Sequence, residues 1–426
     1  MKVTIQPGIV NGTITAPSSK SMMQRACAAA LLHHGTTIIN NPGFSDDDTA
    51  ALNIIQQLGA TIISQTKERI EIKSNGINPI SDTIHCGESG LSTRLFTPIA
   101  ALSDSPIHIT GHGTLLKRPM DSLINMLTVL GVSITSVDNK LPIAVQGPLQ
   151  PKSILIDGAS GSQAVSGLLF AYAFSVKEPT IIEVSNLKSI PYIALTIQVL
   201  QQFGRTVTHD DYKTFYIDPT RFTHLPTIEI NIEGDWSSAA FMLVAGAIAG
   251  EVTVNNITLA STQADKKVIE VLQQAYANVS IEDNSITVKR SLLHSFDVDA
   301  THCPDLFPIL AILAACCDGD SNITGVHRLF DKESNRVESV CEMLENFNVH
   351  FSVEDDILCI TGEDKLQSTI IDSYHDHRIA MAASVGALRA NNSVVIEDAQ
   401  VVNKSYPDFF KDLDKIGTMS MLEWYS

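Results

Sequence analysis

The sequence predicts an α/β protein built from six copies of one unit, each with two helices and several short strands. Two markers that recur in phase carry this prediction. The first is a polar cluster at the head of an apolar helical run, spaced roughly every 70 residues. The second is an amphipathic helix that ends in Gly or Asn and passes directly into a strand. Within each copy one helix is therefore expected to be buried and the other half-exposed.

Taken along the chain, the clusters are S-S-K-S around Lys20, E-S-G-L-S-T-R ending at Arg94, G-S-Q at Gln163, G-D-W-S-S at Trp236, H-C-P-D at Asp305 and Y-H-D-H-R at Arg378. They open the apolar runs 26–32, 95–102, 165–174, 239–249, 306–316 and 379–388. A helix that is apolar all round has to be buried, and its N-terminal N–H groups then become ready sites for anions. The second marker is I-I-Q-Q-L-G-A-T-I to Ile62, M-L-T-V-L-G-V-S-I to Ile134, V-L-Q-Q-F-G-R-T-V to Val207, V-L-Q-Q-A-Y-A-N-V-S-I to Ile281 and M-L-E-N-F-N-V-H-F to Phe351. A weaker sixth copy ends near Gly417. Six copies divide naturally as three plus three, and a chain of 426 residues favours two or three domains.

Composition narrows the function classes. The apolar fraction of 44% supplies ample core. The opening Met1-Lys2-Val3-Thr4-Ile5-Gln6-Pro7 reaches a Pro-Gly turn before any hydrophobic segment develops, so a cytoplasmic location is expected. The apolar runs fall short of the roughly 20 residues that span a bilayer. Cys27, Cys86, Cys303, Cys316, Cys317, Cys341 and Cys359 are odd in number, scattered and without a C-x-x-C pair, which points to reduced thiols. His302, Cys303, His375, Asp376 and His377 lack a helical i, i+4 ligand pair, and no metal or other cofactor is expected.

A net charge of −18 argues against nucleic acid or an anionic membrane as partner. Yet Lys20, Arg25, Arg94, Lys117, Arg118, Lys332, Arg336, Arg378 and Lys404 gather at the helix heads and their neighbouring loops. An acidic protein that concentrates its scarce cations at repeat positions is built to bind a small polyanion there.

Further motifs occur in order: P-S-S-K-S-M-M-Q-R at 17–25, E-S-G-L-S-T-R at 88–94, K-R-P-M at 117–120, S-Q at 162–163, S-I-P-Y at 189–192, P-D at 304–305, K-E-S-N-R at 332–336, D-H-R at 376–378 and K-S-Y-P-D-F-F at 404–410. Each alone is weak; the ordered set, spanning almost the whole chain, resembles the 5-enolpyruvylshikimate-3-phosphate synthase family of enolpyruvyl transferases. The resemblance implies a two-domain fold, each domain three βαβαββ units with buried helices, an inside-out α/β barrel, with the active site in the interdomain cleft. The domains would be 1–16 plus 233–426 and 17–232, with crossings near 15–18 and 232–235. The implied activity is transfer of the enolpyruvyl group of phosphoenolpyruvate to the 5-hydroxyl of shikimate 3-phosphate, with release of phosphate, by a monomer.

The chemistry requires fixed cations for two phosphates and two carboxylates. By the family pattern, phosphoenolpyruvate would meet Lys20, Gly90, Gln163, Arg336, Arg378 and Lys404, with the guanidinium forks of Arg336 and Arg378 suited to its carboxylate. Shikimate 3-phosphate would meet Lys20, Ser21, Arg25, Gly161, Ser162, Gln163, Ser189, Tyr192, Asp305 and Lys332. Asp305 would act as general base and Glu333 as general acid through a tetrahedral intermediate, with Lys20 a further proton carrier. Asp305 also stands where a helix N-cap would. Arg94, Arg118 and His377 would support the site.

The chain departs from the family pattern at Glu88, Leu91, Thr114, Gly161 and Asn335. Thr114 stands where an anion-binding Arg is usual, so either Lys117 or Arg118 replaces it or the loop is displaced. The alternatives are the sister transferase acting on UDP-N-acetylglucosamine, a catalytically inactive two-domain anion-binding homologue and a relative of RNA-terminal phosphate cyclases. Lys20-Ser21 in place of Lys-Asn and the cysteine-free stretch 102–126 count against the first. Joint retention of Lys20, Asp305, Glu333 and Lys404 counts against the second, and the acidic charge against the third.

Overall fold

The computed structural model describes residues 1–417 and the backbone of 420–423. The chain divides into two compact units, an inserted unit Ser18–Glu233 and a split unit formed by Met1–Pro17 with Gly234–Ser426. Each is built from the same motif and is described by itself.

In the inserted unit the helices are α1 (Lys20–Leu32), α2 (Asp46–Gln57), α3 (Gly90–Ala100), α4 (Asp121–Val129), α5 (Ser162–Ser175) and α6 (Ile190–Gln202). The odd-numbered members follow the polar clusters and are almost wholly buried, as their unbroken apolar runs require. Gly167 on α5 lets that helix close on α3: a Cβ there would come within 2.6 Å of the Leu95 carbonyl. The second copy shows the pattern plainly. The strand Thr83–His85 leads through α3 to the parallel strand Ile107–Thr110, and α4 then leads to the antiparallel hairpin Ser133–Val137 and Lys140–Gln146. The first copy takes its opening strand from far along the chain, since Thr227–Asn231 pairs in parallel with His34–Asn40.

The split unit repeats this with α7 (Trp236–Ala249), α8 (Val268–Gln274), α9 (Phe307–Ala315), α10 (Arg336–Asn346), α11 (His377–Gly386) and α12 (Phe409–Lys415). Every residue of α7, α9 and α11 is buried. Its closure uses the N-terminal segment twice. Val10–Thr15 is the parallel partner of Gly250–Asn255 in the fourth copy. Lys2–Ile5 lies antiparallel between Val394–Glu397 and Ser420–Glu423 in the sixth. Six four-stranded sheets result among the described residues, each a parallel pair extended by antiparallel strands.

The turn that ends the second helix of each copy adopts the left-handed conformation, at Gly59, Gly131, Gly204, Tyr276, Asn348 and Gly417. The sequence marker predicts Gly or Asn there. In the fourth copy Tyr276 takes the position instead, at φ 59°, with its ring edge-on to His294 at 5.2 Å. No helix among the described residues is long and apolar enough to cross a membrane.

Candidate active site

The inserted unit carries one group of the sequence-predicted residues on the heads of α1, α3, α5 and α6. Ser19 caps α1 by accepting from the Met22 N–H, which places Lys20 in the first turn. The Lys20 ammonium meets the Asp47 carboxylate at 2.9 Å. Asp47 lies in the first turn of α2, where a run of three acids suits the helix dipole. Its neighbour Asp48 forms a reciprocal capping box with Ser45 and, through burial, has its pKa raised to about 7.

One turn further along α1, Arg25 is 1% exposed and wired to neutral oxygens. Its guanidinium donates to Thr196 Oγ1 at 2.9 Å, the Ser21 carbonyl at 2.8 Å, the Tyr192 carbonyl at 3.3 Å and Ser166 Oγ at 3.4 Å. Burial lowers its pKa to about 10, with the Tyr192 hydroxyl opposing. Arg25 thus stays cationic at neutral pH while its partners carry no charge. The structure brings together Ser21, Arg25 and Tyr192 as predicted and adds Thr196 and Ser166, which the sequence reading did not single out. Thr196 follows Tyr192 by four residues on α6, a same-face spacing that could have flagged it.

At the head of α3, Ser89 caps the helix and Arg94 reaches back to the Gly90 carbonyl at 3.4 Å, across to Gln163 Oε1 at 3.3 Å and down to the Pro119 carbonyl at 3.2 Å. Arg118 is buried, and its Nη1 lies 2.5 Å from where a Cβ on Gly90 would stand. The glycine therefore makes room for two guanidinium groups. Arg118, rather than the exposed Lys117, occupies the α3 head. The Glu88 carboxylate packs against Gly113 and stands 3.9 Å from His112 Nε2. Gly161 heads α5 at φ 122°, a conformation that favours glycine and accounts for the absence of a Ser there. It delivers Ser162, which is buried, and Gln163. Ser189 heads α6 in the left-handed region, at φ 55°.

The split unit carries the acid–base candidates. Asp305 does not cap a helix: it sits in the 3-10 turn Pro304–Leu306, and its carboxylate faces three cations. Arg336 Nη1 approaches at 2.7 Å, Arg378 Nη2 at 3.1 Å and Lys332 Nζ at 3.5 Å. Burial would raise its pKa, but Arg378, Lys332 and Arg336 outweigh burial and hold it well below the usual carboxylate range. Arg336 is fully buried and binds three carboxylates: Asp305, Glu333 at 2.6 Å and Asp376 at 2.7 Å. Burial would lower its pKa, but Asp376, Glu333 and Asp305 drive it well above the ordinary arginine value. Asp376 also caps α11 by accepting from the Arg378 N–H at 3.0 Å and accepts from Ser334 Oγ at 3.1 Å. One carboxylate thus fixes the helix head and the orientation of Arg336 together.

Three further groups complete this cluster. Asp265, fully buried, accepts from Ser237 Oγ in the first turn of α7. Burial, reinforced by the nearby Asp305 charge, raises its pKa to about 7. The sequence reading missed Asp265, which has no local pattern beyond a Q-A-D turn. Lys404, almost buried, donates to the His375 carbonyl at 2.7 Å. His377 is buried, with Nδ1 3.9 Å from Asp376. Cys86 is buried, and its thiol is pushed up to about 12 by burial, which makes it a poor nucleophile.

Comparison with known proteins identifies the family. The sequence profile of the family described as EPSP synthase (3-phosphoshikimate 1-carboxyvinyltransferase) matches residues 5–413. The 3-phosphoshikimate 1-carboxyvinyltransferase of Clostridium novyi (strain NT) is 34% identical over 424 residues, covering 97% of each chain. That of Methanocorpusculum labreanum is 32% identical, covering 98% of this chain and 99% of its own. An EPSP synthase structure from Acinetobacter baumannii superposes with a TM-score of 0.83 at 26% identity, covering 99% of this chain and 100% of that one. The enolpyruvyl transferase NikO from Streptomyces tendae shares the fold at a TM-score of 0.79 and 15% identity, with 99% and 98% covered. A profile match over nearly the whole chain, with relatives above 30% identity and a matching fold, establishes that this chain belongs to the EPSP synthase family.

Proposed function

We propose that this protein transfers the enolpyruvyl group of phosphoenolpyruvate to the 5-hydroxyl of shikimate 3-phosphate, releasing inorganic phosphate on the route to chorismate and the aromatic amino acids. Beyond family membership, the observation that carries this reading is the pair Asp305 and Glu333 held by the single buried guanidinium of Arg336. Two carboxylates on one side of a reacting centre suit a step that removes a proton from a hydroxyl and delivers one to carbon.

Asp305 accepts the proton of the 5-hydroxyl as its oxygen bonds to C2 of phosphoenolpyruvate, while Glu333 in its protonated form protonates C3. The tetrahedral intermediate then returns a proton from C3 to the Glu333 carboxylate as the C2–O bond to phosphate breaks, and the proton held by Asp305 leaves with the phosphate. As found, Asp305 is ionised but a weak base, because Arg378, Lys332 and Arg336 stabilise its charge. When Arg378 and Arg336 share their charge with the substrate carboxylate, Asp305 loses part of that stabilisation and becomes the stronger base the first step needs. Lys20, Gln163 and Lys404 hold the transferring phosphate, with Gly90 at the phosphoenolpyruvate side and Arg94 and Arg118 in support. Ser21, Arg25, Gly161, Ser162, Ser189, Tyr192 and Lys332 receive shikimate 3-phosphate. His377 supports Arg378. We take the enzyme to act as a monomer in the cytoplasm, without a cofactor.

The test is phosphate release from phosphoenolpyruvate by purified protein in chelator-containing buffer, with shikimate 3-phosphate or UDP-N-acetylglucosamine as acceptor. Release is expected only with shikimate 3-phosphate and is expected to vanish in Glu333→Gln. Silence with both acceptors would overturn the reading in favour of an inactive binding protein, and release with the nucleotide sugar would make it the sister transferase.

A further inference from the structure

No step proposed above uses His375, yet it lies in a closed circuit with Lys404. The 3-10 helix Ala399–Lys404 starts at Asp398 and ends at Lys404. Its start is tied to the neighbouring turn by His375 Nδ1, which meets Asp398 Oδ2 at 2.5 Å. Its end is tied to the same residue, since Lys404 Nζ donates to the His375 carbonyl at 2.7 Å. One residue thus grips both ends of the short helix that carries the lysine.

The grip is made on strained backbone. Tyr374, His375 and Asp398 all lie in the left-handed region, at φ 54°, 55° and 53°. Such residues are strained and persist only where the surroundings over-determine them. Here the surroundings do: Asp372 accepts from the Tyr374 N–H at 2.7 Å, the Tyr374 hydroxyl donates to Glu342, and Ser373 Oγ donates to the Asp398 carbonyl at 3.3 Å. The same turn runs directly into Asp376, so its shape also bears on the carboxylate that orients Arg336.

We propose that His375 and Asp398 form a clamp that positions the Lys404 ammonium, making His375 a positioning residue for the cation that meets the transferring phosphate. The ring–carboxylate contact fixes the turn, the fixed turn presents the His375 carbonyl, and that carbonyl holds the ammonium of an almost buried lysine in one place. The proposal rests on the assignment of Lys404 to phosphoenolpyruvate made above, and its test separates the two.

The experiment compares wild type with His375→Ala and His375→Asn. Asn tolerates the left-handed conformation and retains a donor for Asp398. After reductive 13C-methylation of the full-length enzyme, the Lys404 resonance is identified by its loss in Lys404→Arg. It is expected to shift in His375→Ala and return towards its wild-type position in His375→Asn. The KM for phosphoenolpyruvate is expected to rise about tenfold in His375→Ala, the cost of one charge-assisted hydrogen bond out of place, while the KM for shikimate 3-phosphate stays within about twofold. An unmoved Lys404 resonance in His375→Ala overturns the clamp whatever the kinetics. A shifted resonance with an unchanged KM for phosphoenolpyruvate upholds the clamp and overturns the assignment of Lys404. Equal rises for both substrates with no rescue by Asn also overturn the clamp, since a merely structural loss would act that way.

Discussion

The two units share one repeat but surround Arg25 and Arg336, their fully buried arginines, differently. In the inserted unit, Arg25 donates to two hydroxyls and two carbonyls, and Arg94 donates to carbonyl and amide oxygens. In the split unit, Arg336 binds Asp305, Glu333 and Asp376, and Arg378 binds Asp305. A guanidinium oriented by neutral oxygens keeps its field for an incoming anion, whereas one saturated by carboxylates spends much of it on them. The same fold thus sets one buried arginine among neutral oxygens and another where it controls the ionisation of acids.

The sharpest test of that contrast is Arg336→Met. Three carboxylates would be left around an apolar side chain, and breaking a buried ion pair by removing one partner costs about 3–5 kcal/mol. Urea unfolding of the variant is expected to show a loss of that size, together with a fall in turnover of at least about 1000-fold. A variant that unfolds within about 1 kcal/mol of wild type would mean that the carboxylates relax into water, and the contrast between the halves would fail.

Arg25→Lys probes the other half. The lysine retains the charge but not the planar fork that reaches Thr196, Ser166 and two carbonyls. Thr196 and Ser166 already share a hydrogen bond of 2.8 Å, so neither hydroxyl is stranded. The expected result is a folded enzyme whose KM for shikimate 3-phosphate rises about 10- to 100-fold, with kcat changed far less. A fall in kcat with KM unchanged would place Arg25 in the chemistry and blur the division.

These two arginines also show how far the sequence could be read. The repeat, the buried helices and the polar heads were legible because they are local: a periodic apolar pattern and a cluster at its start. The six-copy fold follows from them, and so does the identity of most charged residues at the heads. What each charge faces was not legible. Arg336 meets Asp305 and Asp376 across 31 and 40 residues, and Arg25 meets Thr196 across 171. Strand exchange is equally remote, as in Thr227–Asn231 beside His34–Asn40. No window on the sequence contains both partners, so Asp47 and Asp265 gave no signal, Thr196 offered only its same-face spacing from Tyr192, and Asp376 appeared only in D-H-R and as a rejected metal ligand.

Asp265 supplies a prediction of moderate size with an unusual sign. Its folded pKa is raised to about 7, above the unfolded value, so the folded state holds a proton the unfolded state has released. Its contribution to stability is complete below about pH 4 and is lost as pH rises towards 7. Asp305, held low, behaves oppositely: its contribution is present above about pH 4 and is lost as pH falls through its depressed folded value. Asp265→Asn keeps a partner for Ser237 and removes the ionisation. It is expected to be more stable than wild type by about 1–3 kcal/mol at pH 8, with the difference gone at pH 4. Asp48→Asn is the matching change in the inserted unit, where burial also gives about 7. There it disturbs the capping box with Ser45, so its gain is expected to be smaller.

The smallest effect concerns the turns rather than the charges. All three copies of the inserted unit end their second helix on a left-handed glycine, at Gly59, Gly131 and Gly204, whereas the split unit uses Tyr276, Asn348 and Gly417. A non-glycine residue there costs about 1–2 kcal/mol of backbone energy, and Tyr276 is 72% exposed, so it recovers little by burial. Its ring does rest edge-on against His294, a contact worth about 0.5–1.5 kcal/mol at best. Tyr276→Gly trades that contact and some unfolded-state entropy for a relaxed turn. The expected gain is about 0.5 kcal/mol in urea unfolding with turnover unchanged. If the variant is instead destabilised by 1 kcal/mol or more, the Tyr276–His294 pair outweighs the strain. The split unit would then stabilise this turn through a side-chain contact where the inserted unit uses the conformational freedom of glycine.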